Sequence, residues 1–508
     1  MEANGADPLP PPAAVVKILL VQPYYRPDYH NQFLWLNEPL ALEYVGAGVR
    51  DRHAVVMVDM RFDHDLDAWL DRERPDVVAI TGYTIDAPAM HDILGRVKRW
   101  RPEAITVVGG HHATVIPEDF LDGTTDYIVL GEGVHTFAEL IEALDSGSDV
   151  TAIPGLALPR GDHVERTVPR AYTELDALPF PHRDLNLPWR ERYFSAYLKP
   201  LASLRTSIGC PSRCNFCSLW RMTEGRYLRR TPEAIIEELA ELDYAKYIFF
   251  VDDESLADAK RMEHLAELIL ERGIRKKYFM YGRAKTIAAF PRLIPLWKRA
   301  GLDMILIGME SFRDAELADM NKRTTAATNE DAIRICREHD VNVNGQFIVN
   351  PNYTRRDFRE LAAYIHRVKV SHPTYSVLTP LPGTDLYDEE RDNITVTDYN
   401  LFDLLHAVTP TRLPLKTFYK ELSKLYFKTP SPLQTWENLR DWPKGERLAT
   451  VKMVASLFWG VRSFHKDHHS DAGRLHLTES HKEGPIVASD DLHLLPKEGV
   501  PLRVTLTH

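Results

Sequence analysis

The sequence predicts an α/β protein with two consecutive parallel sheets: an N-terminal doubly wound domain, then a partial (β/α)6, TIM-like barrel and a mostly helical C-terminal region. Three observations carry this. Between 15 and 147, short β-branched runs alternate with amphipathic stretches, the pattern of a parallel sheet covered on both faces. A second alternation of six such units fills 200–384. Between the two, 148–199 is rich in proline and follows neither period, which reads as a linker.

Taken in order, residues 1–14 form a Pro-rich, flexible leader without the basic start of a secretory signal. "VKILLVQP" is strand-like and "PLALEYVGAGVRD" has helical spacing. "HAVVMVDM", "DVVAITGY", "AITVVGG" and "DYIVLGEG" supply four more strands, with "LDAWLDRERP", "MHDILGRVKRW" and "TFAELIEAL" as helices. Five strands in that rhythm give a flavodoxin-like sheet, whose ligands sit beyond the strands' carboxyl ends. Small residues gather there: "TGYT" (Thr81, Gly82, Tyr83), "GGHHAT" (Gly109, Gly110, His111) and "GEGVHT" (Gly131, Glu132, Gly133, Thr136). One such turn reads equally well as a tight strand-to-helix connection; three at one end favour a broad, flat ligand. No G-x-G-x-x-G follows the first strand, so a dinucleotide is the weaker candidate.

In the second alternation, "LASLRTSIG", "KYIFFVDD", "KYFMYGR", "DMILIGME", "VNVNGQFIVN" and "TYSVLTP" are the strands. "TPEAIIEELAEL" opens with Thr231 as a cap and Pro232 in the first turn. Residues 385–465 read as helical. Within them Arg447–Lys466 has an aromatic, basic pattern suited to packing on the barrel or lying on a membrane surface. The His-rich 466–508 reads as a flexible tail.

Composition narrows the partners. The 508 residues carry a net charge of −11, which disfavours nucleic acid. No run reaches the roughly 18 apolar residues of a membrane helix. Four cysteines do not form a disulfide framework, pointing to a reducing cytoplasm.

Three of those cysteines, Cys210, Cys214 and Cys217, fall in "GCPSRCNFCS" on the loop leaving the barrel's first strand. A closed structural zinc site takes four protein ligands. Three thiolates can instead hold three irons of a four-iron cluster and leave the fourth open to substrate. Cys336, in a predicted helix, reads as core filler.

This loop resembles that of the radical SAM enzymes. The resemblance implies that the open iron chelates S-adenosyl-L-methionine (SAM), and that one electron, from an external reductant, cleaves it to a 5′-deoxyadenosyl radical. Phe216 matches the aromatic residue between the last two cysteines. By the same resemblance, Asp252, Asp253 and Glu254 in "FVDDES" become candidates for the SAM amino group, Arg283 in "YGRAKT" for its carboxylate, and Glu310 in "ILIGMES" for its ribose. Taken alone, the three acids read as a solvated strand end and Arg283 as a surface ion pair.

With that barrel behind it, the N-terminal domain resembles the cobalamin-binding domain of cobalamin-dependent radical SAM enzymes, the glycine-bearing turns being its corrin contacts. The D-x-H-x-x-G motif that supplies an axial histidine elsewhere is absent; "DRHAVV" lacks the glycine, and His30 reads as a surface residue. "VDDES", "VNPNYTRRDF" and "YSVLTPLPGTDLYDEE" are similar to segments of the hopanoid C-3 methylases, over about residues 15 to 430. The expected activity is therefore C-methylation of an unactivated carbon in a hydrophobic small molecule by a cytoplasmic enzyme, with peripheral membrane contact as a further expectation. A different product from the same cofactors, or a non-enzymatic corrinoid-binding or redox-sensing role, stands as the alternative. No general acid or base is assigned.

Overall fold

The structure, a computed structural model, describes residues 15–24, 35–195, 198–429, 455 and 459–468. The leader, the loop holding His30, most of the predicted Arg447–Lys466 helix and nearly all of the tail lie outside these residues.

Strands β1 (Lys17–Gln22), β2 (Ala54–Asp59), β3 (Val77–Thr81), β4 (Ile105–Gly109) and β5 (Tyr127–Val129) are parallel in the order β2-β1-β3-β4-β5. This is the flavodoxin-like order. Their apolar runs are continuous because helices cover both faces: α1 (Leu40–Ala47), α2 (Leu66–Glu73), α3 (Ala87–Trp100), α4 (Gly110–Val115) and α5 (Gly133–Ser146). In α3 the buried residues Met90, Ile93, Leu94 and Val97 recur at helical spacing, which turns one stripe onto the sheet.

The linker differs from expectation. Its first part forms an antiparallel hairpin, β6 (Leu156–Arg160) and β7 (His163–Arg166), that extends the sheet to seven strands. Both strands are too short for their alternation to stand out in the sequence.

The second sheet contains β8 (Leu201–Leu204), β9 (Tyr247–Phe250), β10 (Lys277–Tyr281), β11 (Leu302–Glu310), β12 (Asn342–Val349) and β13 (His372–Val377), all parallel and in chain order. These are the six predicted strands. The sheet does not close: β8 and β13 stand at its two ends. Outside lie α6 (Pro232–Ala240), α7 (Ala259–Glu271), α8 (Ala284–Ala289), α9 (Leu293–Ala300), α10 (Ala326–Glu338) and α11 (Arg355–Val368). Thr231 caps α6 by accepting from the Ala234 amide at 3.3 Å. Strand alternation divides the side chains. Phe250 and Tyr278 pack outward on Trp297, with ring centroids 5.8 and 5.6 Å away, while Phe249 and Phe279 stack inward at 4.6 Å. Cys336 is fully buried in the outer core, where burial pushes its thiol up to about 12.

The helical C-terminal part shares the barrel's core. In α12 (Leu415–Lys428), Phe418, Tyr419, Leu422 and Leu425 are buried, and Phe418 meets Phe358 of α11 at 5.6 Å. Phe464, from the described residues 459–468, stacks on His406 at 4.3 Å.

A buried ionic seam joins the two sheets. Arg183 Nη1 donates to Glu38 Oε1 at 2.9 Å, and Nη2 donates to the Ser203 carbonyl at 2.9 Å and to Glu238 of α6. Glu38 Oε1 also accepts from the Ser203 amide, and Asn186 Nδ2 donates to Glu38 and Glu43. Burial, then Glu38, pushes the Glu43 carboxyl well above the usual carboxylate range.

Candidate active site

The cysteine loop is held from both sides by contacts that need no metal. On one side, Asp252 accepts from the Thr206 and Ser207 amides at 2.7 and 2.8 Å and from the Thr206 hydroxyl at 2.6 Å. Asp253 accepts from the Gly209 amide at 2.6 Å. On the other, the Asn215 amide donates to the Met320 carbonyl at 3.2 Å, and Asn321 Nδ2 to the Arg213 carbonyl at 2.5 Å. The Asn215 carbonyl accepts from the Leu386 amide at 2.9 Å.

All three thiols are wholly or partly buried, and burial pushes each up, Cys217 to about 12. Such thiols become thiolates against the charge of a metal. Cys210 and Cys214 each add to the rise at Cys217, so the three share one neighbourhood. Among the described residues no trio of His, Cys, Asp or Glu closes around a single ion. A four-iron cluster gives each thiolate its own iron, so the sulfurs need a common space rather than a common point. The donor set fits such a cluster.

Beside the loop, Glu254 is buried with Oε1 unpartnered, and burial pushes its carboxyl up to about 7. A buried, unpaired carboxylate oxygen calls for a donor that the protein does not supply. Arg283 begins α8 and donates from Nη2 to the Lys322 carbonyl at 2.9 Å. Glu310 ends β11 with φ +57, where the pairing with β12 slips between Gly308 and Glu310. Such a bulge re-aims the side chain, and Glu310 pairs with the buried Lys322 Nζ. A Cβ on Gly308 would lie 2.3 Å from Glu310 Oε1 and 2.9 Å from Lys322 Nζ, so a side chain there would displace the pair from this position. Lys322 Nζ lies 6.0 Å from the Phe216 ring centroid.

Both oxygens of Asp252 accept from Thr206 and Ser207, so it braces the loop. In Asp253, burial and then Asp252 outweigh the Gly209 hydrogen bond and push the carboxyl up to about 6.

Opposite the loop, a cleft of about 220 Å³ opens at the carboxyl ends of β3, β4 and β5. Ala79, Val107, Val129 and Phe137 give it an apolar interior; Thr81, Gly109, Gly110, Gly131, Glu132 and Gly133 lie along it. A Cβ on Gly110, whose φ is +89, would lie 2.2 Å from Thr81 Oγ1. Glu132 Oε1 caps α5 at 2.9 Å while its buried Oε2 has no partner. An apolar slot with glycine turns and an open acceptor suits a ligand that presents a flat apolar part and hydrogen-bond donors. Gly82 lies outside the lining, packed on Met90 and Asp86. Thr136 also lies outside the lining, its hydroxyl donating to the Pro154 carbonyl at 3.1 Å and accepting from Arg170 Nε at 2.6 Å. His53 lies at the amino end of β2, away from the cleft.

The barrel closes the same cleft with Arg205, Ile208 and Met222, and the linker with Tyr172. His111 Nε2 lies 2.7 Å from the hydroxyl of Ser218, the residue after Cys217, and its buried Nδ1 has no partner. Burial, then His112, lowers His111 to about 4, so the ring is neutral at pH 7. Tyr83 packs beside His111 at 5.6 Å and keeps 67% of its surface open, yet Asp253 and Tyr281 on the barrel lie within electrostatic reach. Predicted residues of both domains thus face one gap. Lys322, Arg205 and Tyr172 were not anticipated, because nothing in their local sequence marks a return to the site.

Comparison with known proteins identifies both domains. The model of the radical SAM superfamily matches residues 204–365, and that of the B12 binding domain matches 36–141. The chain is 33% identical over 407 residues to the hopanoid C-3 methylase of Methylococcus capsulatus, covering 78% of this chain and 77% of that one. It is 26% identical over 405 residues to the bacteriochlorophyllide d C-8(2)-methyltransferase of Chlorobaculum tepidum, covering 76% and 83%. Among solved structures it is similar in fold to the radical SAM methyltransferase TsrM from Kitasatospora setae with cobalamin and a [4Fe-4S] cluster bound (TM-score 0.66, 17% identity, 87% and 99% covered). The cobalamin-dependent radical enzyme OxsB, with aqua-cobalamin and SAM bound, gives a TM-score of 0.67 at 16% identity, with 89% and 72% covered.

Proposed function

The chain belongs to the cobalamin-dependent radical SAM methyltransferases, with a [4Fe-4S] cluster, SAM and cobalamin as cofactors, and from that premise we propose that it methylates an unactivated carbon of a hydrophobic small molecule, C-3 of a hopanoid lipid. The substrate rests on the 33% identity to a protein of that name; relatives named for tetrapyrrole chemistry lie at 24–28%. The observation that carries the reading is the facing of the cysteine loop and the glycine-lined cleft across one gap, tied by His111 and Ser218.

We assign the cluster to Cys210, Cys214 and Cys217. Glu254 receives the SAM ammonium at its open oxygen, Arg283 the carboxylate, and Glu310 is oriented by Lys322. Thr81, Gly109, Gly110, Gly131, Glu132 and Gly133 hold cobalamin, with Tyr83 and His111 on the barrel side of the cleft. When bound, the cluster supplies one electron to SAM and the cobalamin supplies the methyl group. The chain's own part is to orient and to exclude water. Arg205, Ile208 and Met222 shut the cleft from the barrel side, and Phe249 and Phe279 keep the barrel wall apolar. No side chain is asked to remove a proton, because no side-chain base is strong enough for an unactivated C–H.

The test is anaerobic incubation of reconstituted enzyme with reductant, methyl-labelled SAM and a hopanoid. A product one methyl heavier, made with two SAM consumed, supports the reading. A ring-closed or rearranged product moves it to the cyclase-like chemistry of the relatives.

A further inference from the structure

We propose that the outer face of α12, together with Trp459 and Arg462, docks on an anionic phospholipid bilayer. The inference deepens the reading of a lipid substrate and rests on it for its purpose. Lys416, Lys420, Lys424 and Lys428 recur every fourth residue, which places them on one stripe of the helix. Lys416, Lys420 and Lys428 are exposed; Lys424 is half-buried and reaches Glu421 at 2.7 Å. Phe427, 43% exposed, lies within that stripe and meets Trp459 edge to face at 6.1 Å. Trp459 is 61% exposed, with the Arg462 guanidinium 3.9 Å from its ring centroid.

The charge of this face is the reverse of the molecule's. On a chain of net charge −11, α12 carries four lysines and one acid, and that acid, Glu421, is buried. The exposed Asp467 is held by His406 at 3.1 Å. Exposed aromatic rings among long basic side chains suit the headgroup zone, where the rings enter the apolar boundary and the cations meet anionic lipid. No helix among the described residues is long and apolar enough to cross a membrane, so the contact is peripheral.

The position suits delivery of a lipid. Tyr426 donates to the Tyr375 carbonyl at 2.9 Å and Thr429 meets the Tyr375 hydroxyl at 2.5 Å, so α12 ends against β13, the strand at the barrel's open side. A bilayer held here brings its lipids beside that opening.

The experiment is co-sedimentation of the cluster-loaded full chain with vesicles of phosphatidylcholine alone or mixed with phosphatidylglycerol, both free of hopanoid. The expected result is binding to the anionic vesicles only, weakened by salt. Each lysine contributes about fivefold, so the Lys416→Gln/Lys420→Gln/Lys428→Gln variant binds about a hundredfold more weakly. Brominated lipid quenches tryptophan fluorescence in the wild type and less in Trp459→Phe. Equal binding to neutral vesicles, no binding, or a triple variant that binds like the wild type overturns the proposal. A dimer dispersed by the same substitutions, without vesicle binding, gives the face to a second copy and also overturns it. Turnover of detergent-solubilised hopanoid without vesicle binding removes the docking face and keeps the function. Vesicle binding without such turnover keeps the face and removes the lipid substrate.

Discussion

Arg183 and Glu38 meet at 2.9 Å inside the seam between the two sheets, both buried, with Glu238 of the barrel on the guanidinium's other arm. Removing the arginine strands carboxylates that water cannot reach. Arg183→Met should cost about 3–5 kcal/mol of stability in urea unfolding. Adding Glu38→Gln should restore part of that loss, because one uncompensated charge goes with it, whereas Glu238 keeps Arg230 as a partner.

The His111–Ser218 contact ties the glycine-lined cleft to the cysteine loop by one hydrogen bond. Ser218→Ala should leave iron content unchanged while raising the 5′-deoxyadenosine made per methylated product. Unchanged coupling would show that the contact does not align the domains.

Cluster assembly should follow the loop and ignore the fourth cysteine. Cys214→Ala should lose iron and sulfide on anaerobic reconstitution, whereas Cys336→Ser should keep both and lower the melting temperature through its buried hydroxyl. Iron and sulfide analysis of the two variants is the measurement.

In the proposed role Glu254 needs its charge to hold the SAM ammonium, and burial pushes its carboxyl up to about 7. Below that value it gains a proton and the attraction fades, so SAM affinity of the cluster-loaded protein should fall as pH drops from 7 to 6. Glu254→Gln should bind weakly at both values, with a flat profile in equilibrium binding.

His406 sits between Asp403 at 3.0 Å and Asp467 at 3.1 Å. Burial lowers its pKa, but the two aspartates outweigh burial and raise it to about 9. A folded value above the unfolded one of about 6.5 gives stability that is full below pH 6.5 and lost as pH rises through 9. His91, raised to about 9 by Asp119 and Asp122 against burial, acts in the same sense. The melting temperature should therefore fall between pH 6.5 and 9.5, and less steeply in His406→Gln.

How much of the fold and site was legible in the sequence depends on how local each cause is. All six barrel strands could be read, because their apolar runs are set by burial on both faces. The Thr231 cap could be read because cap and recipient are three residues apart. The β6–β7 hairpin could not: neither strand is long enough for alternation to rise above a proline-rich background. Asp252, Asp253 and Glu254 look alike in sequence, and only the fold shows that Asp252 turns to brace Thr206 while Glu254 keeps an oxygen free. Lys322 belongs to Glu310 through a loop that must travel out and return. Arg183, in "LPFPHRDLNLP", reads as linker polarity until Glu38 and Glu238 arrive from two domains.

The mould around the three thiols is cast by loop amides that donate to Asp252, Asp253 and Met320 and by the Leu386 amide that donates back to Asn215, so three stretches distant in the chain must all be folded before the thiols can converge.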